Sequence, residues 1–224
     1  AGREYPCEKQ ILKDKGNPMH RRKLILGGAA VFGLGTLSMA ANAQQAADAL
    51  EIPDMVLGVA DAPVEIIEYA SFTCPHCATF HAEVLPQLKA DYIDTGKVRL
   101  IYREVYFDRF GLWGSMIARC GGEDRYFDIA NLFYEKQREW TASGDPVIII
   151  AELRKLAKTT GMTDEALDAC MSDANMAQRL VSWYQANAER DDIRSTPSFV
   201  IDGENNANIP YARFREIIDA KVAG

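Results

Sequence analysis

Val64-Glu65-Ile66-Ile67-Glu68-Tyr69-Ala70-Ser71-Phe72-Thr73-Cys74-Pro75-His76-Cys77 is the stretch on which the reading of this chain turns. Its first six residues are β-rich and almost continuously apolar, the pattern of a strand buried in the middle of a sheet. From Cys74 to about Asp94 the period changes. Cys77, Phe80, Val84 and Leu88 fall three or four apart, on one face of a helix. Pro86 lies inside that run and should kink it, because it removes a backbone donor and crowds the preceding turn. Gly96 ends the segment, and Val98 to Val105 reads as a second strand, so the whole forms a βαβ unit.

Upstream of this unit, Gln44 to Leu57 is a short leader with a first strand near Met55, followed by a turn at Asp61-Ala62-Pro63. Downstream, residues 109–190 have almost no strand signal. Asp145-Pro146 supplies an N-cap and a first-turn proline, Val147 to Thr160 runs helically, and Gly161 closes it. Thr163 or Asp164 caps another helix through Cys170, and Asp173 one through Ala188. Strand chemistry resumes at Ser198-Phe199-Val200-Ile201, and Asp202-Gly203 begins a turn region. Tyr211 to Val222 then makes an amphipathic helix with Phe214, Ile217, Ile218 and Val222 inward.

Cys74-Pro75-His76-Cys77 carries the chemistry. At the first turn of a helix, Cys74 faces unpaired backbone N–H groups and the positive end of the macrodipole, and both favour a thiolate. His76 can stabilise that thiolate as a donor or as imidazolium. Cys77, one turn in on the apolar face, is expected to be shielded and to act as the resolving thiol. A zinc site is the competing use of such a pair, with Cys74, Cys77, His81 and a fourth ligand from elsewhere, but no second CxxC completes it. Glu68, six residues before Cys74, is similar in position to the buried acid that thioredoxin-like proteins keep beneath the second cysteine, and that resemblance implies proton exchange with Cys77. The alternative is a strand-end carboxylate that reaches solvent or a lysine.

The segment from Glu68 to Cys77 resembles the active-site segment of DsbA-like proteins, and Cys-Pro-His-Cys is the pair typical of DsbA oxidases. The resemblance covers residues 52–222 and takes in Ser195-Thr196-Pro197-Ser198-Phe199, which matches the family's cis-proline loop. The fold class is then α/β: a thioredoxin fold in two parts, 44–108 and 191–224, interrupted by an all-α helical insertion at 109–190. The resemblance implies a cis peptide before Pro197, a position that sequence alone would leave trans. It also implies that Thr196 grips an extended substrate strand by β-augmentation. Best-known DsbA oxidases carry valine before this proline, whereas isomerase-like members more often carry threonine.

The implied activity is dithiol oxidation of unfolded, newly exported proteins, with reoxidation by a DsbB-type membrane partner. An isomerase or reductase of the same fold is the alternative. A redox-inert chaperone or metal-binding module is a third reading, from another class. Nothing in the sequence asks for a cofactor or a metal.

The chain has 224 residues, 48% hydrophobic and 25% charged, enough for one core or a core with an inserted subdomain. Met19-His20-Arg21-Arg22-Lys23 is a basic cluster, Leu24 to Ala40 carries no charge, and Ala41-Asn42-Ala43 is a small-x-small exit. This reads as a signal peptide starting at Met19 and cut after Ala43, with residues 1–18 an upstream extension. An uncleaved anchor is the alternative, although 17 residues with four glycines are marginal for roughly 30 Å of hydrocarbon. The Arg21-Arg22 order also fits twin-arginine export.

Seven of the 25 basic and three of the 32 acidic residues fall in 1–43, which leaves 18 against 29, a net −11. That balance argues against nucleic acid as a partner. Cys7 leaves with the same segment, and Cys74, Cys77, Cys120 and Cys170 remain, an even set for a periplasmic protein. A Cys120–Cys170 structural disulfide between helices is expected, with two buried free thiols as the alternative. About a dozen residues separate Ala43 from the first strand, too few for an N-terminal oligomerisation segment, which favours a monomer.

Overall fold

The structure, a computed structural model, describes residues 52–223. The expected signal peptide, its start and its cleavage site lie outside the described residues, as does Cys7. No helix among the described residues is long and apolar enough to cross a membrane.

Five strands form one mixed sheet in the order β1-β3-β2-β4-β5: β1 Met55–Leu57, β2 Val64–Ala70, β3 Val98–Glu104, β4 Ser198–Ile201 and β5 Glu204–Asn206. Only β2 and β3 run parallel, from Val64↔Val98 to Ala70↔Glu104, as a strand–helix–strand crossover demands. β4 joins the other side of β2 antiparallel, with Glu68 opposite Phe199. The long apolar run of β2 is thus explained by its place at the centre.

The crossover helix is broken, at the place Pro86 dictates. α1 spans Pro75–Glu83, α2 Leu85–Leu88, and a π-helical turn Lys89–Ile93 completes the segment. Cys77, Phe80 and Leu88 are buried as their spacing predicts, while Val84, at the break, is only half-buried.

Between the two sheet segments come α3 Arg109–Cys120, α4 Glu123–Glu135, α5 Gln137–Trp140, α6 Pro146–Thr159, α7 Asp164–Met171 and α8 Ala174–Arg190. Side-chain caps start most of the long ones. Asp108 accepts from Phe110 N and Gly111 N, Asp145 from Val147 N, Thr163 from Ala166 N and Asp173 from Met176 N. Gly161, at φ +89°, takes the left-handed conformation that ends α6.

The sheet has a core on each side of the crossover. Val64 and Ile66 of β2 pack with Phe80, Phe199, Phe214 and Ile218, tying α1 and α9 (Tyr211–Ala223) to the sheet. Phe72, Cys77 and Tyr102 instead join Phe133, Trp140 and Leu153 of the helical block. Each fully buried Phe, Leu or Ile here stabilises by about 1.5–3 kcal/mol relative to exposure.

One expectation is corrected, and one strand is added to the reading. Val222 is 40% exposed, because the apolar contacts of α9 end one turn earlier, at Ile218. And the turn at Asp202-Gly203 closes a hairpin onto β5, Glu204-Asn205-Asn206, which carries no apolar pattern because it is an exposed edge held by its pairing to β4.

Candidate active site

The sheet delivers the redox turn to the N-terminus of α1. Cys74 is the N-cap residue, in extended backbone (φ −83°, ψ 118°), and Pro75 follows where a missing N–H costs nothing. The turn is held from three directions. Cys74 N donates to Ser71 O at 3.0 Å, and Thr73 Oγ1 donates to the Asp108 cap of α3 at 2.8 Å. Gln137 of α5, itself buried, donates from Nε2 to Phe72 O at 2.8 Å and to Cys74 O at 2.9 Å.

The two thiols live in opposite electrostatic surroundings. Hydrogen bonding from Cys77 holds the Cys74 thiol down at about 5, against the opposing pull of burial and with help from the Thr196 side chain and from the backbone N–H groups of Cys77 and His76. Cys77 is fully buried, and burial, followed by the neighbouring Cys74, pushes its thiol far above the ordinary range. Cys74 is therefore the more acidic thiol of the pair and Cys77 the less acidic one. His76 contributes through its backbone; its ring is exposed.

The Thr196–Pro197 peptide bond is cis. Thr196 O lies 3.4 Å from Cys74 Sγ, which brings a loop 122 residues away in sequence against the nucleophile.

Glu68 points from the same face of β2 as Val64 and Ile66 and is completely buried. Its neighbour is one the sequence did not suggest. Glu68 Oε1 lies 3.0 Å from Nε2 of His81, a buried side chain of α1. The ring of His81 is therefore engaged with a carboxylate, in place of the zinc-ligand role that its spacing from Cys77 allowed. It stacks on Tyr134 with centroids 4.0 Å apart and meets Tyr102 edge-on.

Cys120, ending α3, and Cys170, in α7, are joined as a disulfide with Cα atoms 6.2 Å apart, inside the range a disulfide spans. The bridge closes a loop of 50 residues, worth about 4 kcal/mol on the chain-entropy estimate.

Sequence reasoning missed Gln137 altogether and met His81 only as a ligand of the zinc alternative, not as the partner of Glu68. Gln137 lies 63 residues from the carbonyl of Cys74, and nothing local marks a glutamine in a four-residue helix as a brace. For His81 a signal existed: it stands one turn beyond Cys77, on the buried face of α1.

This geometry agrees with the comparisons. A family model described as thioredoxin matches residues 51–220. A Rickettsia bellii protein carrying the name protein-disulfide oxidoreductase is 31% identical over 75% of this chain and 64% of its own length, so the chain spans slightly less than two thirds of that relative. Disulfide bond formation protein D of Bacillus subtilis is 26% identical, over 75% of this chain and 77% of that protein. The crystal structure of Wolbachia pipientis alpha-DsbA1 superposes with a TM-score of 0.70 at 26% identity, covering 77% of this chain and 93% of the other. With a sheet, a helical block and a Cys-x-x-Cys turn placed this way, the chain belongs to the thioredoxin family, on its DsbA-like branch.

Proposed function

We propose that this protein is a thiol:disulfide oxidoreductase acting as a dithiol oxidase on newly exported, unfolded proteins with free thiols. The observation that carries the reading is the division of the pair: Cys74 held as thiolate near neutrality, Cys77 buried as thiol. A substrate thiolate attacks Cys74 Sγ of the oxidised enzyme, forming a mixed disulfide and breaking the bond to Cys77. A second substrate thiolate attacks the substrate sulfur and releases Cys74 as thiolate. The more stable that thiolate, the more oxidising the enzyme.

Thr196, beside Cys74 and ahead of cis-Pro197, supplies backbone for an extended substrate strand. Glu68 supplies and removes the proton of Cys77. The Cys120–Cys170 bridge holds the helical block together structurally, fitting an oxidising compartment. The names of the Rickettsia and Bacillus relatives agree with disulfide chemistry. Periplasmic location after removal of residues 1–43, action as a monomer, and reoxidation by a DsbB-type membrane partner complete the proposal.

Isomerisation or reduction on the same fold is the second reading, favoured by threonine at position 196. The two separate in one measurement, the equilibrium of the Cys74–Cys77 pair with a glutathione redox series. A potential near −120 mV is expected for the oxidase, whereas a value near −270 mV replaces it with a reductant.

A further inference from the structure

Cys77 gains a proton each time the pair is reduced and loses it on reoxidation, yet it is wholly enclosed. Resting on the disulfide-exchange reading above, we propose that His81 is a positioning residue that relays this proton, taking it up and releasing it at Nδ1 toward the cavity between α1 and α4 while Glu68 exchanges it with Cys77.

The geometry provides a chain with two open ends. Nε2 of His81 and Oε1 of Glu68 face each other at 3.0 Å. Oε2 of Glu68 and Nδ1 of His81 are both buried without a hydrogen-bond partner among the described residues. Orphaned buried polar atoms are costly, so two on one couple call for a use. Stacking on Tyr134 and the edge contact with Tyr102 hold the ring so that Nε2 stays on Glu68. His81 and Tyr134 also line a cavity of about 650 Å³, ample for the water that carries protons in and out.

The charges around His81 suit an imidazolium. Glu68 approaches from β2, while Cys77 precedes it by one turn of α1. The phenols facing it, Tyr102 of β3 and Tyr134 of α4, are both held neutral by burial, with pKa values raised well above the ordinary one. Across the cavity α4 contributes Glu123, Asp124, Asp128 and Glu135. An opposing charge in the lining is Lys89 of the π-helical turn, which is itself paired with Asp94.

The step balances as follows. In the oxidised enzyme Glu68 is a carboxylic acid with its proton on Oε2, and His81 is neutral, donating from Nε2 to Oε1. Substrate attack on Cys74 forms the mixed disulfide, breaks the Cys74–Cys77 bond and leaves Cys77 as thiolate. Glu68, whose charge acts on the Cys77 thiol, gives its proton to that sulfur. The carboxylate so formed is neutralised when His81 accepts a proton at Nδ1 from cavity water. Reoxidation reverses both transfers, so the electrons remain with the disulfide exchange and the proton crosses at His81.

Nitrogen-15 NMR of the histidine rings in the purified wild-type protein, oxidised and reduced at pH 7, tests this directly. The expected result is a neutral Nε2–H ring for His81 in the oxidised form and an imidazolium in the reduced form. The same protonation state in both overturns the relay. His81→Gln keeps a donor to Glu68 but cannot titrate. It should slow reduction by glutathione on the order of tenfold or more and flatten its pH profile, while alkylation of Cys74 by iodoacetamide keeps its wild-type rate. A wild-type rate and profile in this variant would also overturn the relay. A wild-type protein that exchanges no disulfide with glutathione sinks instead the reading on which the relay rests.

Discussion

Two carboxylates are buried in neighbouring parallel strands, and the structure treats them oppositely. Glu104, ending β3, accepts from Arg119 Nε at 2.7 Å, from Arg119 Nη2 at 2.6 Å and from Tyr126 OH at 2.7 Å. Arg119 also donates to Pro53 O at 2.9 Å, and its guanidinium lies over the rings of Tyr126 and Trp183. Glu68, in the middle of β2, has one hydrogen-bond partner among the described residues, His81, and one oxygen with none. Burial alone therefore says little about what a carboxylate does. The number of bonds to its two oxygens divides them: one carboxylate, saturated, ties the leader, the sheet and the helical block together, while the other keeps an oxygen free of hydrogen bonds among the described residues.

The largest effect should come from Glu104→Gln. It leaves the Arg119 guanidinium, raised further above its ordinary pKa by Glu104 in spite of burial, without its counter-charge in the interior. Breaking one partner of a buried ion pair costs about 3–5 kcal/mol. Urea denaturation of the oxidised protein should register that loss, and replacing both Glu104 and Arg119 by methionine should recover much of it. A loss below about 1 kcal/mol in Glu104→Gln would mean that the bonds around Glu104 are not what holds these elements together.

A second effect, spread over several pH units, sharpens the other side of the comparison. The Cys74 thiol is held at about 5 in the folded protein, against an ordinary value of 9.0. A depressed acid contributes stability that is complete above the unfolded value and is lost as pH falls through the folded one. The stability of the reduced protein relative to reduced Cys74→Ser should accordingly rise between about pH 5 and pH 9, by up to about 1.4 kcal/mol per pH unit. Parallel curves for the two proteins across that window would show that the helix N-terminus and Cys77 do not stabilise the thiolate.

What the sequence made legible followed from local rules. The period change at Cys74, the caps at Asp145, Thr163 and Asp173, and the parallel crossover all depend on residues a few positions apart. The same locality placed Cys74 at a helix N-terminus. Pro197 needed the family resemblance as well, because its meaning lies in a contact with Cys74 that no nearby residue announces. The partners of both buried carboxylates escaped. His81 lies 13 residues from Glu68 and Arg119 lies 15 from Glu104, and each pair meets only because a crossover or helical hairpin folds back on its strand. Gln137 and β5 escaped for a related reason: one braces through backbone carbonyls, the other pairs through backbone alone.

The smallest stability effect, and the most telling for the comparison, is expected from the same chemical change at the other carboxylate. Glu68→Gln breaks no ion pair of the Glu104–Arg119 kind, and the amide oxygen can still accept from Nε2 of His81. One modest hydrogen bond is at stake, so the oxidised protein should lose less than about 1 kcal/mol in urea denaturation, against several at Glu104. Exchange with glutathione should nonetheless slow and lose its pH dependence near neutrality, since an amide carries no proton to Cys77. If Glu68→Gln cost as much stability as Glu104→Gln, both carboxylates would be structural, and the unpartnered oxygen beneath the redox pair would lose its claim to a part in the chemistry.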